Sequence, residues 1–305
     1  MRAVVLGSAA GGGFPQWNCA CRSCCLARKA DPSAVSRTQC SVAVSADGSR
    51  WVVLNAAPEL AMQIGRTNSL HPRGNGRHSP IAAVALTGGE IDTILGLLSL
   101  REGHAFAIYA GTEVLDVLVA NPIFRALPES RVPRRTLEKD SVTVLRDAAG
   151  DLLGLSIEAF SVPGKVPLFA ETGSDPGRHD DGATIGLHVR SDAASLFFIP
   201  GCAAMTDALR ERLSGAELVL FDGTLWDNHE MIEAGLSEKS GLRMGHMSIS
   251  GPDGAIAAFA DVDVRRKVFI HLNNTNPALL EDSSERRTLK SQGWDVAFDG
   301  MELLT

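Results

Sequence analysis

The sequence predicts a layered α/β or α+β architecture in one domain, and three observations lead there. Short apolar strands alternate with helix-forming stretches along the whole chain, and several strands are joined by hairpin signals. No Pro/Gly/Ser-rich linker divides the 305 residues, which places a single domain over 1–305. Hydrophobic residues make up 45%, enough for a sizeable core, and the 5% aromatic content leaves that core to Leu, Val, Ile and Ala.

The elements follow in order. Residues 2–7 read as a buried strand, and Gly11-Gly12-Gly13 then forces a loop. A cysteine-rich loop follows, at about 14–30. Residues 39–45 and 51–55 read as strands of a hairpin turning at Asp47-Gly48. Residues 58–65 form a short helix with Pro58 in its first turn, and 66–79 a polar loop. The strand 81–86 runs into Thr87-Gly88-Gly89-Glu90-Ile91-Asp92, before a helix through Ile94, Leu97, Leu98 and Leu100. Residues 106–110 are strand-like and 112–120 helix-like. Further strands are expected near 141–146, 152–160, 184–190, 195–199, 217–221 and 267–272, with helices near 203–213 and 252–260. The segment 162–182 reads as a long functional loop or exposed excursion.

Charge and leader signals exclude some classes. With 29 Lys plus Arg against 36 Asp plus Glu, the formal charge is -7, which argues against a nucleic-acid partner. The basic run Arg131-Val132-Pro133-Arg134-Arg135 reads as a solvated loop. The first residues form one short strand and carry no signal-peptide pattern. No apolar run is long enough to insert in a membrane, so a reducing cytoplasm is the expected location.

Four of six cysteines sit within seven positions, in Cys19-x-Cys21-x-x-Cys24-Cys25. Such crowding does not suit a disulfide framework. It suits three thiolates of a structural zinc site, because close spacing lowers the entropy of gathering them around one ion. The fourth ligand comes from elsewhere in the chain or from Cys25. The plainer alternative is a reduced loop of free thiols, which would be open to oxidation. A closed site of this kind stabilises a loop and is not an active centre.

No His-x-His, His-Glu-x-x-His or phosphate-binding loop occurs. The polar residues at element ends are therefore the candidates. Asp92 lies beyond the strand 81–86 and reads equally as a ligand or a helix N-cap. Asp222 follows an apolar strand, with Asp227, His229 and Glu230 close behind. His246 sits in a glycine-flanked loop, and His271 ends a strand before Asn273-Asn274-Thr275-Asn276. Each histidine alone reads more readily as a hydrogen-bonded structural residue. Together, two histidines and two carboxylates with open positions suit Fe(II) or Zn. Cys202 after Phe198-Ile199-Pro200-Gly201 reads as a core or loop thiol, since no base is assignable for a nucleophile.

Long blocks carry a family resemblance. They are residues 6–24 with the cysteine motif, 96–103 (GLLSLREG), 161–167 (SVPGKVP), 221–226 (FDGTLW) and 270–277 (IHLNNTNP). These resemble the pyrroloquinoline quinone (PQQ) biosynthesis B family of the metallo-β-lactamase superfamily. The resemblance implies a four-layer αβ/βα sandwich of α+β class, with two mixed sheets between outer helices. The superfamily's Thr-His-x-His-x-Asp-His motif falls on Thr87–Thr93, where only Thr87 and Asp92 match. Its bridging aspartate falls on Asp222, its final histidine on His271, and a Gly-His element on His246. Two-zinc hydrolysis is therefore disfavoured, and a mononuclear site of Asp92, Asp222, His246 and His271 is what remains. The resemblance implies an iron-dependent hydroxylase using Fe2+ and O2 on the tyrosine-derived ring of a Glu-Tyr precursor. The alternatives are a carrier assisting PQQ or its precursor toward the periplasm, and a metal-dependent hydrolase. Family members commonly carry His at the position of Thr93. The cysteine zinc of related branches is completed by a late histidine, which makes His271 a candidate for either site, with Asn274 or Cys25 as fallbacks. The partner is then small-molecule PQQ or its precursor, and a homodimer is left open.

Overall fold

The computed structural model describes residues 1–165 and 184–304. Six strands come first: β1 (Arg2–Gly7), β2 (Ser41–Ser45), β3 (Trp51–Leu54), β4 (Ile81–Ala85), β5 (Ala107–Ala110) and β6 (Arg134–Thr136). Seven follow: β7 (Val142–Arg146), β8 (Leu152–Ser161), β9 (Ile185–Arg190), β10 (Ser195–Ile199), β11 (Ala216–Asp222), β12 (Val264–Ile270) and β13 (Trp294–Val296). The last, β14 (Glu302–Leu304), returns to the first group. They form two seven-stranded sheets, ordered β14-β1-β2-β3-β4-β5-β6 and β13-β12-β11-β10-β9-β8-β7. Each sheet is mixed: antiparallel at one end, and parallel through β3-β4-β5-β6 and β10-β11-β12-β13.

Three apolar layers result from strand alternation. In β11, Leu218 and Leu220 enter the core between the sheets, while Val219 and Phe221 face an outer core. Both faces are buried, as expected of a parallel strand that reads as an unbroken apolar run. Short helices cover the outer faces. They are α1 (Arg22–Arg28), α2 (Leu60–Arg66), α3 (Ile91–Ile94), α4 (Thr112–Ala120), α5 (Asp207–Leu213), α6 (Glu230–Glu233), α7 (Ala255–Ala258) and α8 (Ser284–Ser291). The second sheet buries Phe197, Phe221 and Phe269 against Leu209, Phe259 and Leu289. This is the α+β sandwich of two mixed sheets flanked by helices that the resemblance implies.

Several local expectations need correction. Cys24 and Cys25 lie on α1 and not in a loop, because Cys24 and Ala27 find an apolar surface to bury against. The helix expected after residue 86 is one turn of α-helix followed by a 3-10 segment, Leu95–Leu100. The basic run 131–135 is not a solvated loop at its end: Arg134 and Arg135 belong to β6. Helix α8 and strands β13 and β14 were not anticipated. The two strands are three residues each, too short for a period, and α8 offers one buried leucine, Leu289. The expected excursion at 162–182 lies mostly outside the described residues. No described helix is long and apolar enough to cross a membrane.

The strand β7 forms one edge of its sheet, and its end is closed by the other sheet. The Tyr109 hydroxyl on β5 accepts from the Arg146 N–H at 2.8 Å and donates to the Arg146 carbonyl at 2.9 Å. Arg135 on β6 donates to the carbonyls of Arg146 and Asp147, both at 2.7 Å.

Gly96 fixes the segment that carries Asp92. Its N–H donates to the Ala56 carbonyl at 2.8 Å, and a Cβ there would stand 2.1 Å from the Ala57 carbonyl oxygen. Substitution Gly96→Ala must push these backbones apart. We expect a loss of about 1–3 kcal/mol in urea unfolding, the usual cost of overpacking, together with altered metal binding at Asp92. Unchanged stability would show that the contact yields without strain.

Candidate metal centre

The parallel strands deliver their side chains to one place. Ligand sites of α/β sheets lie beyond the carboxyl ends of parallel strands, and here β4, β10 and β12 end at one cavity, with the end of β11 buried beside it. Its volume is about 120 Å³, and Glu90, Asp92, Thr93, Lys165, His246 and His271 are on its wall.

Asp222 ends β11 and is fully buried. Its Oδ1 accepts from the Thr224 N–H at 3.0 Å and lies 2.6 Å from the Thr224 hydroxyl. Its Oδ2 accepts from the Cys202 N–H at 2.8 Å and lies 2.7 Å from His246 Nδ1. Burial would raise this carboxyl, but the charge and hydrogen bond of His246, with His271 and Thr224, hold it below the usual carboxylate value. Gly223 lets the chain turn beside β12, since a Cβ there would meet Phe269 Cβ at 2.8 Å. His246 follows a 3-10 turn closed by Gly245 at φ 89°. Burial would lower its imidazole, yet the Asp222 carboxylate outweighs burial and raises it.

His271 follows β12 with φ 62°, a left-handed backbone that is strained for a residue with a Cβ. Its Nδ1 is 2.8 Å from the Thr224 hydroxyl and its Nε2 is 3.4 Å from Asp92 Oδ2. The His246 and His271 rings are stacked, with centroids 5.4 Å apart. Asp92 is in the first turn of α3 and is not its N-cap, which is Glu90. Burial would raise Asp92, but the hydrogen bond and charge of His271 hold it low. Glu90 is pushed up to about 7 by burial and by the Asp92 charge.

Donor atoms of Asp222, His246 and His271 all lie within 4.8 Å of one another, which fits a single metal ion. Thr224, which touches all three, carried no sequence signal beyond its place after Asp222-Gly223. Asp227 and His229 are exposed and bonded to each other's neighbourhood, away from this group. Glu230 accepts from Thr275 and the Trp226 N–H. The Cys202 thiol is buried and pushed up to about 12 by that burial, which does not suit a nucleophile; its backbone N–H is what serves Asp222.

The second cluster is Cys19, Cys21 and Cys24, with sulfurs within 4.8 Å of one another. Cys24 is pushed up to about 12, by burial first and by the neighbouring Cys21 sulfur in addition. A divalent cation relieves this crowding of thiols, so the donor set fits zinc. His271 is not the fourth neighbour. The Asn274 amide donates to Cys19 Sγ at 3.2 Å, Cys24 Sγ at 3.5 Å and Cys21 Sγ at 3.7 Å. The reason is topological: His271 bonds back to Thr224 at the strand end, and three residues later the chain has crossed to the thiols. Cys25 points elsewhere, toward the Ala20 carbonyl.

Residues 50–272 match the model of the beta-lactamase superfamily domain. The chain is 56% identical over 303 residues to coenzyme PQQ synthesis protein B of Gluconacetobacter diazotrophicus, covering 99% of both chains. It is 52% identical to the protein of that name from Xanthomonas axonopodis pv. citri, again over 99% of both. Among solved structures, zinc-bound PqqB from Methylobacterium extorquens is 45% identical and superposes over 100% of both chains with a TM-score of 0.95. A diphosphatase of the PhnP family, at 20% identity and a TM-score of 0.69, shares the fold. Identity at this level along the whole length, on this fold, leaves one assignment: the chain belongs to the coenzyme PQQ synthesis protein B family of the β-lactamase superfamily.

Proposed function

We propose that this chain acts in PQQ biosynthesis as an iron-dependent hydroxylase of the tyrosine-derived ring of a Glu-Tyr precursor. The observation that carries the reading is the donor set at the cavity: two imidazoles, His246 and His271, beside the carboxylates Asp92 and Asp222. The three of these within reach of one ion, His246, His271 and Asp222, leave coordination positions open, the arrangement suited to non-haem Fe(II) and O₂. Iron bound there supplies the activation of O₂. The chain's own residues do the rest. Asp92 stays ionised beside His271, and Lys165 sets a positive charge on the cavity wall, where it favours the carboxylates of an acidic precursor. One oxygen atom enters a ring C–H bond and the other leaves as water, so two electrons and two protons come from an added reductant.

The test is anaerobic reconstitution with Fe(II), then O₂ and ascorbate with a tyrosine-containing precursor. One iron per chain, O₂ uptake and a hydroxylated product are expected. Tight binding of PQQ or its precursor with no iron and no product would overturn the reading in favour of a carrier. Substitution His246→Ala should lower turnover by a factor of about 100 or more while leaving the thiol site loaded.

We also propose that Cys19, Cys21 and Cys24 hold a structural zinc, with Asn274 as the fourth neighbour. Zinc in the 45%-identical relative supports this. Cys24→Ser should lose one zinc per chain by elemental analysis and lower the melting temperature, because α1 and residues 271–276 lose their anchor. His271→Ala should keep that zinc. Loss of the same zinc in His271→Ala would return His271 to the thiol site.

A further inference from the structure

A second cavity adjoins the metal centre and takes no part in the chemistry proposed above. Its volume is about 130 Å³, slightly more than that of the metal cavity. It lies beyond the carboxyl ends of the parallel strands β4, β5 and β6, where Thr87, Gly111 and Leu137 come after them. Thr87 is on the wall of both cavities. From the other sheet, Thr184 is on the metal-cavity wall and Ile185 on the wall of the second. The Thr87 carbonyl accepts from the Ile185 N–H at 3.3 Å, so a single backbone hydrogen bond marks the boundary between the two spaces.

The second cavity is amphipathic. Buried Val114, Leu137 and Ile185 supply its apolar wall. Around them stand one cation, Lys139, and two carboxylates, Glu113 and Glu138. Lys139 Nζ is 3.9 Å from Glu113 Oε1, and these side chains are 36% and 60% exposed. An ion pair that long and that open to water contributes little, so a charged ligand readily exchanges for it. The mixture of signs selects the ligand. Two carboxylates disfavour a simple anion, Lys139 disfavours a simple cation, and an α-amino acid head group meets both. Its carboxylate suits Lys139, its ammonium suits Glu113 or Glu138, and its methylene stem suits the apolar wall. The metal cavity carries a similar mixture, with Lys165 and Glu90 on its wall.

We propose that the second cavity is a subsite for the amino acid arm of a two-headed substrate, with Lys139, Glu113 and Glu138 as its specificity-determining residues. The Thr87–Ile185 contact is the sill that the substrate crosses. This deepens the proposed function and rests on it, since a Glu-Tyr precursor has two amino acid head groups. With the ring at the metal centre, one head group lies by Lys165 and the other by Lys139. Tyrosine alone fills the first space only.

Calorimetric titration of the full chain without O₂ separates binding from turnover. The probes are L-tyrosine and a tyrosine bearing a glutamyl arm on its ring. The armed probe should bind more tightly by roughly tenfold or more, as one added charged hydrogen bond provides. Lys139→Ala should cut that preference by roughly tenfold, and Lys139→Arg should keep most of it. The double substitution Glu113→Gln with Glu138→Gln should cut it as well. These side chains are at the surface, so the variants should melt with the unsubstituted protein. Equal affinity for the two probes overturns the subsite, and so does a preference that Lys139→Ala or the double substitution leaves unchanged. A preference that depends on both, with no hydroxylated product once Fe(II), O₂ and ascorbate are added, would overturn the hydroxylase reading and leave the subsite standing.

Discussion

A carboxylate buried at the end of a central strand constrains everything around it. Moving such a charge out of water costs several kcal/mol unless hydrogen bonds replace the lost solvent. Asp222 recovers that solvation from Cys202, Thr224 and His246, which lie on three separate stretches of chain. The turn after β10, the turn after β11 and the loop before residue 247 are thereby fixed to one point. The cavity forms where these three turns meet.

The other organising element is the short run His271–Asn276. Leu272 pairs with the segment leaving β1, through its N–H to the Ser8 carbonyl and its carbonyl to the Ala10 N–H. His271 faces the cavity, Asn274 lies over the thiols, and Asn276 donates to the Gly223 carbonyl. The structural cluster and the candidate metal centre are thus held by one stretch of backbone, itself bonded to the turn that bears Thr224. This explains why a loop anchor near the N-terminus lies so close to groups at the far end of the sequence.

Much of this was legible in sequence where chemistry is concentrated. Cys19, Cys21 and Cys24 are local, and their spacing alone brings the sulfurs together. Apolar strands such as 217–221 and 267–272 are long enough to stand out as unbroken apolar runs. What stayed hidden was non-local. Nothing in the order of residues told His271 from Asn274 as the neighbour of the thiols, because three positions separate two different sites. Thr224 was silent because a hydroxyl gains meaning only from what surrounds it. Strands β13 and β14 were too short for pattern, and they form because existing sheets offer them an edge.

The corner where Tyr109 and Arg135 hold Arg146 has a consequence for the protein in bulk. An edge strand with bare N–H and C=O groups is a template for another chain, and stacking along it is a route to aggregates. At β7 the alternating Val142 and Val144 would suit such stacking, being half exposed on a β-branched strand. The phenol and guanidinium occupy the backbone groups at the end of that strand before a neighbour can. The same contacts that join the two sheets also act as a guard against intermolecular strand addition there.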